Sequence, residues 1–173
     1  MTLVTISKEQ FDSLDDERLG WICVEPTILQ IRGKEFAVKQ KAISGLNKGQ
    51  QALLMFRVLY DHAKHSAAEY YAWISYLLAT PGYWTGVLGS LQFFDDQSML
   101  ILLEDTKEAI DVRNGRLGVH YGDAELKDLD QDRELSQTMS LLFERFHAIV
   151  PDSLQFISKH IRANPQHFVT IDK

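Results

Sequence analysis

Apolar positions recur at three- and four-residue spacing through most of the chain from residue 47 onward. Ala52, Phe56, Leu59, Tyr60 and Ala63 form one such stripe, and Asn47 with Gln50 ahead of them reads as a capping box. Ser66 with Glu69 is a second capping box, leading into Ala67, Tyr70, Tyr71, Ile74 and Leu78. Thr80-Pro81-Gly82 predicts the end of that helix, because proline disfavours helical geometry in the residue before it. A short helix is expected through Trp84, Val87, Leu88 and Leu91. Asp95 is the expected cap of the next, whose core face is Met99, Leu102, Leu103, Thr106 and Ile110.

Residues 113–132 break the period. Asn114-Gly115, Gly118 and Gly122 supply turn geometry, and Asp128 to Asp132 is strongly polar, so a long loop is predicted there. Helical spacing resumes at Leu135, Met139, Leu142, Phe143, Phe146 and Ile149. Pro151 is expected to stop it, Asp152 to cap, and Leu154, Ile157 and Ile161 to form a last helix ended by Asn164-Pro165. Near the start, Ser7 with Gln10 is a further capping box. Between Ile28 and Val38 two readings stay open: a short hairpin around Gly33-Lys34, or a helix beginning after Pro26. The helix is preferred, since a lone hairpin would lack a partner sheet. The pattern as a whole predicts an all-α fold of about six or seven helices in one domain over residues 1–173.

Composition keeps that picture and narrows the setting. The 173 residues are 45% hydrophobic and 24% charged, near the averages for globular domains. No apolar run approaches the ~20 residues of a membrane span. The N-terminus lacks the apolar core of a signal peptide, and Cys23 is the lone cysteine, so a cytoplasmic protein without disulfides is expected. Net charge of −6 argues against direct binding to nucleic acid.

Charge distribution changes the picture more. Residues 95–134 hold 12 acids against 5 bases, whereas in residues 32–57 Arg32, Lys34, Lys39, Lys41, Lys48 and Arg57 face only Glu35. Segregated charge can steer and orient a charged partner. Glu104, Glu108 and Asp111 follow one another at helical spacing and are expected to share a face, with Asp105 a quarter-turn away. Together with Asp128, Asp130 and Asp132 they form the candidate surface for a basic protein partner. The bland alternative is a solvated face and loop. Oppositely charged ends also leave self-association, as a homodimer, open.

Candidate chemistry is sparse. His62, His65 and Glu69 have spacing that could suit a metal, but the Ser66 capping signal places a turn inside the set. Glu144 and His147 form one Glu-x-x-His element without the second copy a di-iron bundle needs. Cys23 lies among Trp21, Ile22 and Val24, a setting that raises a thiol pKa. No nucleophile elbow or phosphate loop is present, so no catalytic residue and no cofactor is assigned. Eight of the 18 aromatic residues fall between Tyr70 and Phe94, which reads as core or as a ligand or partner patch.

Leu142-Phe143-Glu144-Arg145-Phe146-His147, Phe156-Ile157 and Ile161-Arg162-Ala163-Asn164-Pro165-Gln166-His167-Phe168 resemble the C-terminal part of the bacterial DNA-mimic-protein-like family, and Gln92-Phe93-Phe94 is similar to a family aromatic motif. Where that family carries Asn-Gly-Gly-Phe, this chain reads Ser66-Ala67-Ala68-Glu69-Tyr70. The resemblance implies a small, acidic, all-helical cytosolic protein. It also implies imitation of DNA against a regulator, or immunity beside a toxin.

Overall fold

A computed structural model describes residues 3–172. The fold is all-α with one small parallel sheet. The elements, in chain order, are β1 (Val4–Ser7), α1 (Lys8–Ser13), α2 (Asp16–Ile31), α3 (Phe36–Ser44), α4 (Lys48–Ala63), α5 (Ala67–Ala79), α6 (Tyr83–Phe93), α7 (Gln97–Leu117), α8 (Asp128–Gln131), α9 (Arg133–Ala163) and β2 (Val169–Asp172). The described residues fall into two compact units. Unit 1 comprises residues up to Leu54 together with those from Asp152, and unit 2 is Met55–Pro151. Helices α4 and α9 each pass from one unit to the other.

In unit 1, β1 and β2 pair in parallel with Val4 opposite Val169 and Ile6 opposite Ile171. Both strands carry the same Val-Thr-Ile run, in which β-branched residues suit a pleated, half-buried surface. Ile6 and Val169 face the core with Phe11, Leu19, Cys23, Leu53, Ile157, Ile161 and Phe168. Two side chains tie the ends of the unit together. The Arg162 guanidinium donates to the carbonyls of Phe11 (2.8 Å) and Leu14 (2.6 Å), and Asn47 Nδ2 donates to the His167 carbonyl (2.8 Å). Gly49 is required at the start of α4, because a Cβ there would lie 2.8 Å from the Phe168 ring.

Unit 2 is built around α5, α6 and α7. Tyr70, Tyr71, Ile74, Leu77, Val87, Leu91, Met99, Leu102, Leu103 and Ile110 are buried, joined by Met139 and Phe146 from α9. The helix ends follow local chemistry. The Ser66 hydroxyl accepts from Glu69 N (3.1 Å), and Asn47 and Gln50 exchange side chain-to-backbone bonds at the start of α4.

Several expectations are corrected. Asp96, not Asp95, caps α7 by accepting from Met99 N (3.1 Å), while Asp95 takes the left-handed turn (φ 57°), a conformation that aspartate tolerates better than most residues. Residues 28–38 form neither a hairpin nor a helix starting after Pro26. Leu29 and Ile31 end α2, which is capped by Asp15 (accepting from Arg18 N at 2.7 Å) and runs through Pro26. Gly33, at φ 69°, breaks the chain before α3. Pro151 does not stop the last helix: α9 continues through it to Ala163. Pro151 is exposed, on a side where the carbonyl that loses its donor can turn to water. The predicted loop over 113–132 is also narrower than expected. Residues 113–117 finish α7, Gly118 closes that helix in the left-handed region, and a 3₁₀ turn at Tyr121–Asp123 precedes α8.

Candidate interaction surface

Helix α7 carries most of the candidate acids, and its inner face fixes where they point. Leu102, Leu103, Thr106 and Ile110 are buried. Thr106 Oγ1 donates to the Leu102 carbonyl (2.8 Å) and is hydrogen-bonded to the Tyr70 hydroxyl (2.7 Å), which locks α7 onto α5. The opposite side must then face water. Along it run Ile101, Glu104, Glu108 and Val112, at steps of three, four and four residues, all exposed.

The acids divide into two groups. Asp105 pairs with Arg145 of α9 at 2.8 Å. Asp111 accepts from Lys107 and from the Tyr121 hydroxyl; burial opposes ionisation there, but those two donors outweigh it and lower the pKa of the carboxyl. Asp128 and Asp132 converge on Arg113. The guanidinium donates to Asp132 (3.1 Å) and to the Tyr71 hydroxyl (2.8 Å), lies 3.7 Å from Asp128, and stacks over the Tyr71 ring. The Tyr71 hydroxyl in turn donates to Asp128 (3.0 Å), and burial pushes its pKa up to about 12, so it stays a donor at neutral pH. Asp132 also caps α9 by accepting from Leu135 N (3.0 Å). That backbone bond, followed by Arg113, holds its carboxyl below the usual range. Arg116 adds Glu134 at 2.6 Å.

Four of the seven candidate acids, Asp105, Asp111, Asp128 and Asp132, are therefore neutralised within unit 2. Glu104, Glu108 and Asp130 are exposed and have no cation partner among the described residues. Unit 2 still holds 15 acids against 8 bases, a net of −7, while the remainder of the chain holds 9 acids against 10 bases. Next to α7, the outer side of α9 offers an open depression lined by Thr138, Leu141, Leu142, Glu144, Arg145 and Ala148. With Ile101, Val112 and Leu141 each 54–68% exposed, the surface is apolar as well as acidic. Sequence reading missed the apolar part. The signal was there: Ile101 and Val112 fall outside the core spacing of Met99, Leu103, Thr106 and Ile110.

Elsewhere the candidates separate. The His62 ring stacks on Trp73 (3.9 Å between centroids), a His65 ring nitrogen is bonded to the Asp61 carbonyl (2.9 Å), and Glu69 accepts from the Ser66 hydroxyl. The three residues meet at no common point, and no group of His, Cys, Asp or Glu suited to a metal occurs among the described residues. His147 packs edge-on against Phe143 and Phe146 instead of joining Glu144 in a ligand set. Cys23 is buried, and burial pushes its thiol up to about 12. The aromatic group splits: Tyr70, Tyr71 and Phe94 are core, whereas His62, Trp73 and Tyr76 form a stack that reaches the surface, with Tyr83 edge-on against Tyr76.

No helix among the described residues is long and apolar enough to cross a membrane. No protein-family model, no curated protein and no solved structure matches the chain.

Proposed function

We propose that the chain is a non-enzymatic interaction protein of the cytoplasm that presents the outer face of α7 and α9 to a basic protein partner, such as a regulator or a toxin. The observation that carries this reading is the exposed stripe Ile101–Glu104–Glu108–Val112, in which two uncompensated carboxylates one turn apart lie between apolar side chains on a helix anchored from behind. Interfaces combine apolar contact with charge complementarity in this way, the first supplying affinity and the second orientation and on-rate. The net charge of unit 2 and the C-terminal family resemblance point in the same direction.

The test is capture of a basic protein by immobilised chain from an extract of the source cells, repeated with Glu104→Lys/Glu108→Lys. Capture should fall steeply from ~50 to ~500 mM salt and be lost in the variant. Equal recovery at both salts, or by the variant, refutes the reading.

A second reading, binding of a small planar ligand, is favoured by the His62–Trp73–Tyr76 stack, with Trp73 held in place by donation to the Val58 carbonyl (2.7 Å). Titration of aromatic ligands against tryptophan fluorescence, in a chain whose Trp21 and Trp84 are replaced by Phe so that Trp73 alone reports, tests it: saturable quenching that disappears in Tyr76→Ala supports this use of the stack.

A further inference from the structure

The same molecule carries a surface complementary to the one just described. Leu29 at the end of α2 and Phe36 and Val38 on α3 are 47–63% exposed, and α3 buries none of its residues. Among these apolar side chains lie Arg32, Lys34, Lys39 and Lys41, none of which has a carboxylate partner among the described residues; Glu35 is the lone acid of the stretch. On α3, Phe36 points away from Val38, two residues on, whereas Val38 and Lys41, three residues apart, share one exposed side that forms the contact surface. Its make-up mirrors that of the α7–α9 face, which has three exposed apolar side chains, Ile101, Val112 and Leu141, interleaved with Glu104, Glu108 and Glu144.

We propose that the α2–α3 surface of one copy docks on the α7–α9 face of another, so that the chain self-associates. This rests on the reading of the α7–α9 face as an interaction surface and names a partner for it. Charge decides how the copies pair. The acidic face repels itself, as does the basic one, so pairing must be between unlike surfaces. Each interface joins the cations Lys34 and Lys41 to the uncompensated Glu104 and Glu108, with Val38, on the same side of α3 as Lys41, meeting Ile101 and Val112. Unlike-surface pairing leaves each copy with both a donor and an acceptor face. Association therefore continues with concentration, unless the geometry closes a small ring.

Sedimentation velocity from ~5 to ~500 µM chain tests this, with circular dichroism confirming the fold of each variant. Wild-type chain should grow beyond one copy with concentration at ~50 mM salt and revert to single copies at ~500 mM. Lys34→Glu/Lys41→Glu and Glu104→Lys/Glu108→Lys should each stay monomeric, with dissociation constants raised at least ~tenfold. Mixed one to one, the two variants should associate again, because each then supplies the surface the other lacks.

Wild-type chain that stays monomeric at every concentration and low salt overturns the proposal. So does either variant that associates like wild type, or a mixture that remains monomeric. Binding of monomeric wild type to phosphatidylserine vesicles, lost in Lys34→Glu/Lys41→Glu, overturns it in favour of a lipid headgroup. Failure here is distinguishable from failure of the proposed function. A foreign basic partner is still captured by Lys34→Glu/Lys41→Glu and lost only in Glu104→Lys/Glu108→Lys.

Discussion

Helices α7 and α3 are both charge-rich, but they are held in opposite ways. Helix α7 buries Met99, Leu102, Leu103, Thr106, Ile110 and Asn114, begins on the Asp96 cap and ends at Gly118 in the left-handed region. Helix α3 buries nothing and has no side-chain cap. Four of the seven candidate acids on and beside α7 have found cations, whereas Lys34, Lys39 and Lys41 around α3 have found none among the described residues. The difference shows that the charge count of a segment does not give the field it presents. An anchored helix brings distant parts of the chain within reach of its charges, and they pair off. A helix lying on the surface keeps its charges for solvent or for a partner.

Truncating the two helices should have the most unequal effect. Ile110→Ala should cost about 3 kcal/mol in chemical denaturation, from lost burial and the cavity left behind. Phe36→Ala should change stability by no more than about 0.5 kcal/mol. Equal costs would mean that α3 is anchored after all.

Removing the hub of the acid pairing comes next. Arg113→Ala should cost about 2 kcal/mol, because Asp128, Asp132 and Tyr71 lose a charged donor, and hydrogen exchange should quicken over residues 121–131. The same variant should alter the acid limb of stability. The Asp132 carboxyl is depressed in the folded chain, first by Leu135 N–H and then by Arg113. Its contribution is therefore complete above about pH 4, the unfolded value, and fades as pH falls through the lower folded value. Denaturation followed between pH 5 and pH 2 should show a shallower decline in Arg113→Ala than in wild type; identical slopes would contradict the assignment.

In unit 1, Gly49→Ala separates the hold of Phe168 from that of α3. If that unit is held by Phe168 against α4 and not by α3, forcing a Cβ against the ring should cost about 1–2 kcal/mol. The smallest effect has the opposite sign. Gly89→Ala, in exposed α6 backbone with open space around the new Cβ, should raise thermal stability by about 0.5 kcal/mol. A loss there would show that α6 is more tightly covered than its exposure indicates.

The helical class and most of the core stripes are legible in the order of residues, because helical spacing and capping boxes are local. Ser7, Asn47 and Ser66 accept the backbone bonds their spacing implies. That order also put Glu104, Glu108 and Asp111 at spacings of one face; the first two are exposed, whereas Asp111 is half-buried against Lys107 and Tyr121. Three things were decided only in three dimensions. The Val-Thr-Ile runs become strands because the chain brings residues 4–7 and 169–172 side by side, and neither could form a sheet alone. The segment around Pro151 stays helical because the proline faces water, which no spacing rule reveals. Ion pairing across the acidic region depends on partners far along the chain, such as Asp105 with Arg145, so their neutralisation follows from packing and not from order in the sequence. Local rules fix which residues form a helix and which side is apolar; burial and long-range pairing fix which of its charges remain to meet a partner.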